Sequence, residues 1–232
     1  MKLHFRRVLF KLSGELLGSR QGPVDRGALS FFAQEVATAR DAGAQLALVV
    51  GGGNIVRGSA LQDMPLTAGH TMGMLGTLIN GVALREALHV RGIPCILQSS
   101  LSCPGVADPV DPWRAREALA QGQVVVFAGG TGNPYVTTDT AAVIRALSVE
   151  AQALVKGSKV PGLYEADPLK SQEARPIPRL SHREYLARGL KAMDEAAVAI
   201  AGEHNLPIVV FKADERGAFL LALQGKVGSL IA

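Results

Sequence analysis

Residues 124–139 read Val124-Val125-Val126-Phe127-Ala128-Gly129-Gly130-Thr131-Gly132-Asn133-Pro134-Tyr135-Val136-Thr137-Thr138-Asp139. The opening run is short, largely β-branched and apolar at every position, which is the pattern of a strand covered by helices on both faces of a parallel sheet. Glycines then release the chain into a loop, and Thr138 or Asp139 is placed to open a helix that ends near Leu147. Strand, glycine loop and helix make one βα unit. Helix capping accounts for one of these residues, but not for the glycine pair, Asn133 and the threonine pair together. The segment Thr131–Asp139 is therefore a candidate site as well as a turn.

The same boundary recurs twice upstream. Residues 4–11 read as a strand that ends in Lys11-Leu12-Ser13-Gly14, and residues 45–50 as one that ends in Gly51-Gly52-Gly53-Asn54. Glycine lets backbone N–H groups approach an anion, and a following helix N-terminus adds a favourable field. In open α/β sheets ligands sit beyond the carboxyl ends of the strands. Three such loops imply one mouth that holds phosphates at several points.

Further strands are expected over residues 93–98, 123–128, 152–156, 207–211 and 227–231. Helical patterns cover roughly 27–42, 71–91, 112–121, 138–148, 182–188, 193–204 and 215–224. Gly43 and Gly92 stand where glycines end helices, and Pro94 and Pro207 begin the strands that follow. Repeated βα units predict a three-layer α/β/α sandwich with a mainly parallel central sheet and right-handed crossovers. The expectation is a single domain over residues 1–232, with an acceptor-side lobe over about 1–150 and a nucleotide-side lobe over about 151–232. The Pro- and charge-rich stretch 160–181 reads as a loop over the mouth.

Composition narrows the function. Hydrophobic residues make up 48% and charged residues 19% of the 232, a balance that suits a packed globular chain. A net charge of +4 without long basic runs, and 5% aromatics, argue against nucleic-acid binding and suit an anionic small molecule. No apolar run approaches the ~18 residues of a membrane span, and residues 3–12 read as a strand rather than a secretory segment. Cys95 and Cys103 lack metal or redox spacing, so free thiols and a cytoplasmic setting are expected. The five histidines show no ligand spacing, and no protein-held metal is expected.

Lys11 follows a buried strand and precedes Ser13-Gly14, so its ammonium projects into the mouth, where it can neutralise a phosphoryl group in transfer. Arg57, beyond the triple glycine, suits bidentate contact with phosphate oxygens. Asp139 near Lys11 would orient lysines or help hold Mg2+. Ser158, Lys159, Tyr164 and Asp167 offer a lysine, an aromatic and an Asp-Pro turn for a nucleotide. The P-loop, dinucleotide and protein-kinase signatures are absent, so the phosphate site has another design.

Taken in order, these segments resemble the bacterial uridylate (UMP) kinases of the amino-acid kinase superfamily, essentially from end to end. The motifs that carry the resemblance are Lys11–Glu15, Gly51–Gly58, Met72–Thr77, Thr131–Asp139, Ala166–Pro168 and Met193-Asp194. The resemblance implies a kinase that transfers the γ-phosphoryl group of Mg·ATP to UMP, assembled as a homohexamer and commonly regulated by GTP and UTP. It implies Lys11, Leu12, Ser13, Gly14, Gly53, Arg57, Ser158, Lys159, Tyr164 and Asp167 on the ATP side. On the UMP side it implies Gly52, His70, Thr131, Gly132, Asn133, Pro134, Tyr135, Val136, Thr137 and Thr138. Lys11 and Asp139 would be the catalytic pair.

The chain departs from that pattern in places. His70 stands where the family carries an Asp for the ribose hydroxyls, and Leu66 replaces a basic residue. A neutral histidine offers a single accepting nitrogen. Lys159-Val160-Pro161-Gly162 has Pro161 in place of an acidic residue, and the loop Gly18–Val24, linked in the family to GTP, is shortened. Two other readings stay open at this level: a paralogous kinase of another small phosphate or carboxylate, and a non-catalytic nucleotide-binding protein on the same fold.

Overall fold

The computed structural model describes residues 2–56, 64–166, 168, 170, 171 and 173–232. The chain begins with β1 (Arg7–Leu12), a 3-10 turn (Gly14–Leu16), α1 (Arg26–Asp41), β2 (Gln45–Val50) and α2 (Leu66–His89). It continues through β3 (Cys95–Ser99), β4 (Asp108–Pro109), α3 (Pro112–Ala120), β5 (Val124–Ala128) and α4 (Thr138–Ser148). Next come β6 (Ala153–Ser158), β7 (Leu163–Tyr164), β8 (Pro176–Ile177), β9 (Arg179–Leu180) and α5 (His182–Ala187). α6 (Glu195–Glu203), β10 (Ile208–Lys212), α7 (Ala218–Leu223) and β11 (Ser229–Ile231) complete it.

One nine-stranded sheet runs in the order β4-β3-β5-β2-β1-β6-β10-β11-β9. Neighbours from β4 to β10 are parallel; β11 is antiparallel to β10, and β9 is parallel to β11. The three-layer, mainly parallel sandwich expected from the apolar runs is the observed fold. From β1 the chain moves to β2 on one side, and it reaches the other side with β6. β1 is thus the switch point, and its carboxyl end is where such a sheet binds ligands.

Strand alternation divides β1 between two cores. Val8, Phe10 and Leu12 face a layer containing α1, α2 and α7, whereas Leu9 faces α3, α4, α5 and α6. Phe10 stacks on Phe219 with ring centroids 4.1 Å apart, which ties β1 to α7. Side chains stand on alternate faces of a strand, so Lys11 shares the Leu9 face and points towards α4.

Segment 160–181 is more than the loop expected. It contains β7 and β8, which pair as an antiparallel ribbon, and β9, which extends the main sheet. Each of these is two residues long. Runs that short carry no periodicity from which a strand can be read.

Candidate active site

The centre of the site is set by register. β1 and β6 are parallel neighbours with Lys11 opposite Lys156, so both lysines leave the sheet on the same face. Thr137 caps α4, accepting from Asp139 N and Thr140 N, and this places Asp139 in the first turn. The helix opens at Thr138, as expected, with Thr137 as the residue that caps it. Lys11 Nζ is 2.7 Å from Asp139 Oδ1, and Lys156 Nζ is 2.7 Å from Oδ2. The Lys156 contact is an aligned hydrogen bond, whereas the Lys11 contact is a charge contact outside hydrogen-bond geometry.

Lys11 and Asp139 are buried, at 7% and 8% exposed, and the Lys156 side chain is 13% exposed. Burial alone would raise the Asp139 carboxyl, but the two ammonium groups outweigh it and hold the carboxyl well below the usual range. Burial pushes Lys156 down to about 8, the Lys11 charge adds to the shift, and Asp139 opposes it. Two ammonium groups share this one carboxylate under the mouth of the sheet, beside a helix N-terminus, and the Asp194 carboxylate also acts on Lys156. Such a place favours an incoming anion.

A short strap closes the underside. Lys156 also donates to Ala192 O, Asp194 N donates to Asp139 Oδ2 at 3.2 Å, and Asp194 Oδ2 accepts from Thr137 at 2.8 Å and Thr140 at 3.2 Å. Between these residues, Met193 exchanges hydrogen bonds with the buried Tyr185 hydroxyl. Residues 192–194 therefore fix both the carboxylate and the second lysine.

The glycine loops meet one another as well as the mouth. A Cβ on Gly14 would clash with Asn54 and the Gly51 carbonyl, and one on Gly52 with the backbone of Gly73 and Thr77 in α2. Close packing of main chains, rather than approach to an anion, requires these glycines. Gly53 differs: a Cβ there would find nothing nearer than 4.0 Å. Asn54 and Asn80 exchange side-chain amide hydrogen bonds of 3.0 and 2.7 Å, and Asn80 donates to Gly51 O at 2.7 Å. This pins the second loop to α2.

Opposite this loop, residues 131–138 lead from β5 into α4. Thr131 Oγ1 accepts from Asn133 N, and Gly129 N donates to Thr77 Oγ1 of α2 at 2.7 Å. Tyr135, at a positive φ of 67°, donates its N–H to His70 Nδ1 at 2.9 Å, and the two rings meet edge to face. With Nδ1 accepting, a neutral His70 carries its proton on Nε2. The histidine latches α2 to this loop and presents a donor. Gly132, Pro134, Val136 and Thr138 lie along the same segment.

On the far side of β1, Lys159 bridges to Glu15 at 2.9 Å, linking the loop after β6 to the loop after β1. A depression of about 280 Å³ between them is lined by Glu15, Gly53, Asn54 and Lys159. Ser158 Oγ accepts from Val160 N at 3.2 Å. Tyr164 lines a separate cavity of about 510 Å³ with Leu163, Arg188, Leu190 and Ala192. Ala192 is the residue whose carbonyl holds Lys156, so this cavity borders the lysine cluster. Arg57 and Asp167, both expected on the ATP side, lie outside the described residues, as does Gly58.

Lys156 was missed by sequence reasoning, although the signal for it was present. It lies near the carboxyl end of a buried strand and projects towards the mouth by the same logic that singled out Lys11. Asn80, fully buried in an apolar helix, was a second overlooked signal.

A mainly parallel α/β/α sandwich with two lysines and a carboxylate buried at the carboxyl ends of its central strands has the layout of a small-molecule phosphotransferase. The sequence profile described as "Amino acid kinase family" matches residues 6–212. The uridylate kinase of Brucella suis is 44% identical over 225 residues, covering 96% of this chain and 94% of that one. That of a Sulfurovum species is 46% identical over 224 residues, covering 95% of each. A crystal structure of UMP kinase from Bacillus anthracis superposes with a TM-score of 0.94 at 33% identity, covering 98% of this chain and 96% of that one. The chain belongs to the amino acid kinase family and, within it, to the uridylate kinases.

Proposed function

We propose that the enzyme transfers the γ-phosphoryl group of ATP to UMP, giving UDP and ADP, above the Lys11–Asp139–Lys156 cluster. The observation that carries this reading is the pair of lysines on adjacent strands that share the Asp139 carboxylate at the switch point of the sheet. A phosphate oxygen of UMP attacks the γ-phosphorus, the bond to the β,γ-bridging oxygen breaks, and ADP leaves with that electron pair. Phosphate monoesters lose their second proton near pH ~6, so the nucleophile is already ionised at neutral pH and needs no general base. Asp139 then positions the two ammonium groups, which stabilise charge on the transferring group.

Lys11, Leu12, Ser13, Gly14, Gly53, Ser158, Lys159 and Tyr164 are assigned to ATP, with the cavity beside Tyr164 taking the nucleoside end. Gly52, His70 and residues 131–138 are assigned to UMP. The acceptor side then draws on residues 1–150, and the nucleotide side on 151–232 together with the loops that follow β1 and β2. Asp139 has one oxygen against each ammonium and is a poor magnesium ligand. Among the described residues no cluster of three His, Cys, Asp or Glu side chains gathers. Mg2+ would therefore arrive with ATP, held by phosphate oxygens and water, and would supply further charge neutralisation.

The same reading places the enzyme in the cytoplasm, in pyrimidine nucleotide synthesis. It also makes the enzyme a homo-oligomer, by family a hexamer. Leu75 and Ile79, one turn apart on α2, are 45% and 49% exposed, an apolar face that a second copy would cover. ADP release with Mg·ATP, measured against UMP, CMP, dUMP and a carbamate-type acceptor, tests the assignment. Preferred turnover of UMP is expected; no turnover of UMP at millimolar concentration contradicts it.

A further inference from the structure

The turn Gly129–Gly132 has two sides. A Cβ on Gly130 would meet Met74 of α2, on the side assigned to UMP. One on Gly132 would meet Ser100, on the opposite side. There a cavity of about 640 Å³ opens at the carboxyl ends of β3 and β4, lined by Ser99, Ser100, Ser102, Thr131 and Arg145. Neither the lysine cluster nor the Tyr164 cavity contributes to it.

Arg145 lies on α4 about 9 Å of helix rise beyond Asp139. Its guanidinium sits over the Phe127 ring at 5.8 Å and donates from Nη2 to Ser100 Oγ at 2.7 Å. Ser100 in turn donates to Gly130 O at 2.8 Å. Arg145 makes no ion pair with any described residue, and burial lowers its proton affinity with no neighbouring charge acting against it. The carboxylates nearby are engaged elsewhere: Asp108 pairs with Arg114 at 3.0 Å, and Asp111 caps α3. A half-buried cation with no counter-charge among the described residues, facing a cavity with a serine hydroxyl at its rim, suits a tetrahedral oxyanion.

We propose that the cavity of Arg145, Ser100 and Ser102 is a second oxyanion site, bordering the loop assigned to UMP but outside both nucleotide sites, that takes a phosphate group, free or carried by a small ester. Arg145 supplies the charge and Ser102 a hydroxyl donor, while Ser100, whose proton goes to Gly130 O, holds the guanidinium in place. Through Ser100 the site touches the carbonyl of Gly130, so its occupancy bears on the loop assigned to UMP.

Calorimetric titration tests this on enzyme saturated with UMP and a non-hydrolysable ATP analogue, so that both nucleotide sites are filled. Inorganic phosphate and glycerol 3-phosphate are titrated separately. The expected result is one further site, with a dissociation constant on the order of 1 mM or tighter for at least one probe. The tighter probe names the source of the phosphate. Ser102→Glu, which places a negative charge at the exposed rim, should weaken binding by about tenfold or more, and the neutral Ser102→Gln should retain it. Arg145→Ala should abolish it; the Ser102 pair decides the matter if that variant folds poorly. Absence of binding for both probes up to roughly 20 mM would overturn the proposal, given that such a constant corresponds to a free energy too small for a built site. So would binding that Ser102→Glu leaves unchanged.

Discussion

Lys11 and Lys156 stand opposite one another in the parallel register of β1 and β6, and each holds its ammonium 2.7 Å from one oxygen of Asp139. Two buried cations on adjacent strands would repel each other strongly, and the shared carboxylate makes the pair tolerable. The Asp194 carboxylate acts on Lys156 as well. A phosphoryl group arriving beside the two ammonium groups is stabilised by them, most when it carries charge spread over its oxygens in transfer.

Lys156 supplies the first prediction. Its proton is released as the pH rises through about 8, below the 10.5 of an unperturbed lysine. In the free enzyme kcat/KM should decline above that pH, along a limb absent from Lys156→Arg, whose guanidinium stays charged. An identical limb in Lys156→Arg would place the titration elsewhere. Stability moves the other way: between these two values the unfolded chain binds the extra proton, so this group's contribution rises with pH across that window.

Asp139→Asn leaves the two ammonium groups facing each other without the carboxylate they share. The expected loss is about 3–5 kcal/mol, seen in thermal melts as a drop of roughly 6–20 °C for a chain of this size. Acid titration gives a second reading. The wild-type carboxyl, held below its ordinary value of 3.8, contributes stability above that pH and loses it as the pH falls further. The asparagine variant should show a flatter acid limb, and an equally steep one would count against the assignment.

His70→Ala removes the acceptor for Tyr135 N–H and frees the loop assigned to UMP. A hydrogen bond of this kind contributes about 0.5–1.5 kcal/mol, so KM for UMP should rise roughly 2- to 10-fold. KM for ATP and kcat should move little. Equal shifts for both substrates would remove the histidine from the acceptor side.

Gly52→Ala and Gly53→Ala separate packing from ligand approach. At Gly52 the new methyl meets helix backbone, which cannot yield as a side chain would. That variant should lose about 1–3 kcal/mol of stability. At Gly53 the methyl has room, so folding should be unchanged while KM for ATP rises. Normal melting of Gly52→Ala would show that α2 can move aside.

The long elements were legible because their physics is local. Apolar runs such as Val124–Ala128 admit few arrangements other than a covered parallel strand. β7, β8 and β9 were not legible, since two residues paired to distant strands leave no pattern in sequence. In the site, Lys11 and Asp139 were found by their positions after strands. Their contact with Lys156 depends on the β1–β6 register, which no local pattern encodes. The glycines were found for a different reason from the one that requires them: Gly14 and Gly52 are fixed by neighbouring backbone, a contact visible once the loops are folded against each other. His70 reads as a lost carboxylate in sequence, and its bond to Tyr135 gives it a structural duty of its own.

Steady-state kinetics of Lys11→Ala with Mg·ATP and UMP bear most directly on the central claim, that the buried cations act on the transferring phosphoryl group. Loss of one such group should lower kcat by about 10²–10³-fold, while KM for each substrate stays within about threefold of wild type, the signature of an interaction made in the transition state. Small and equal changes in kcat and KM would contradict the account.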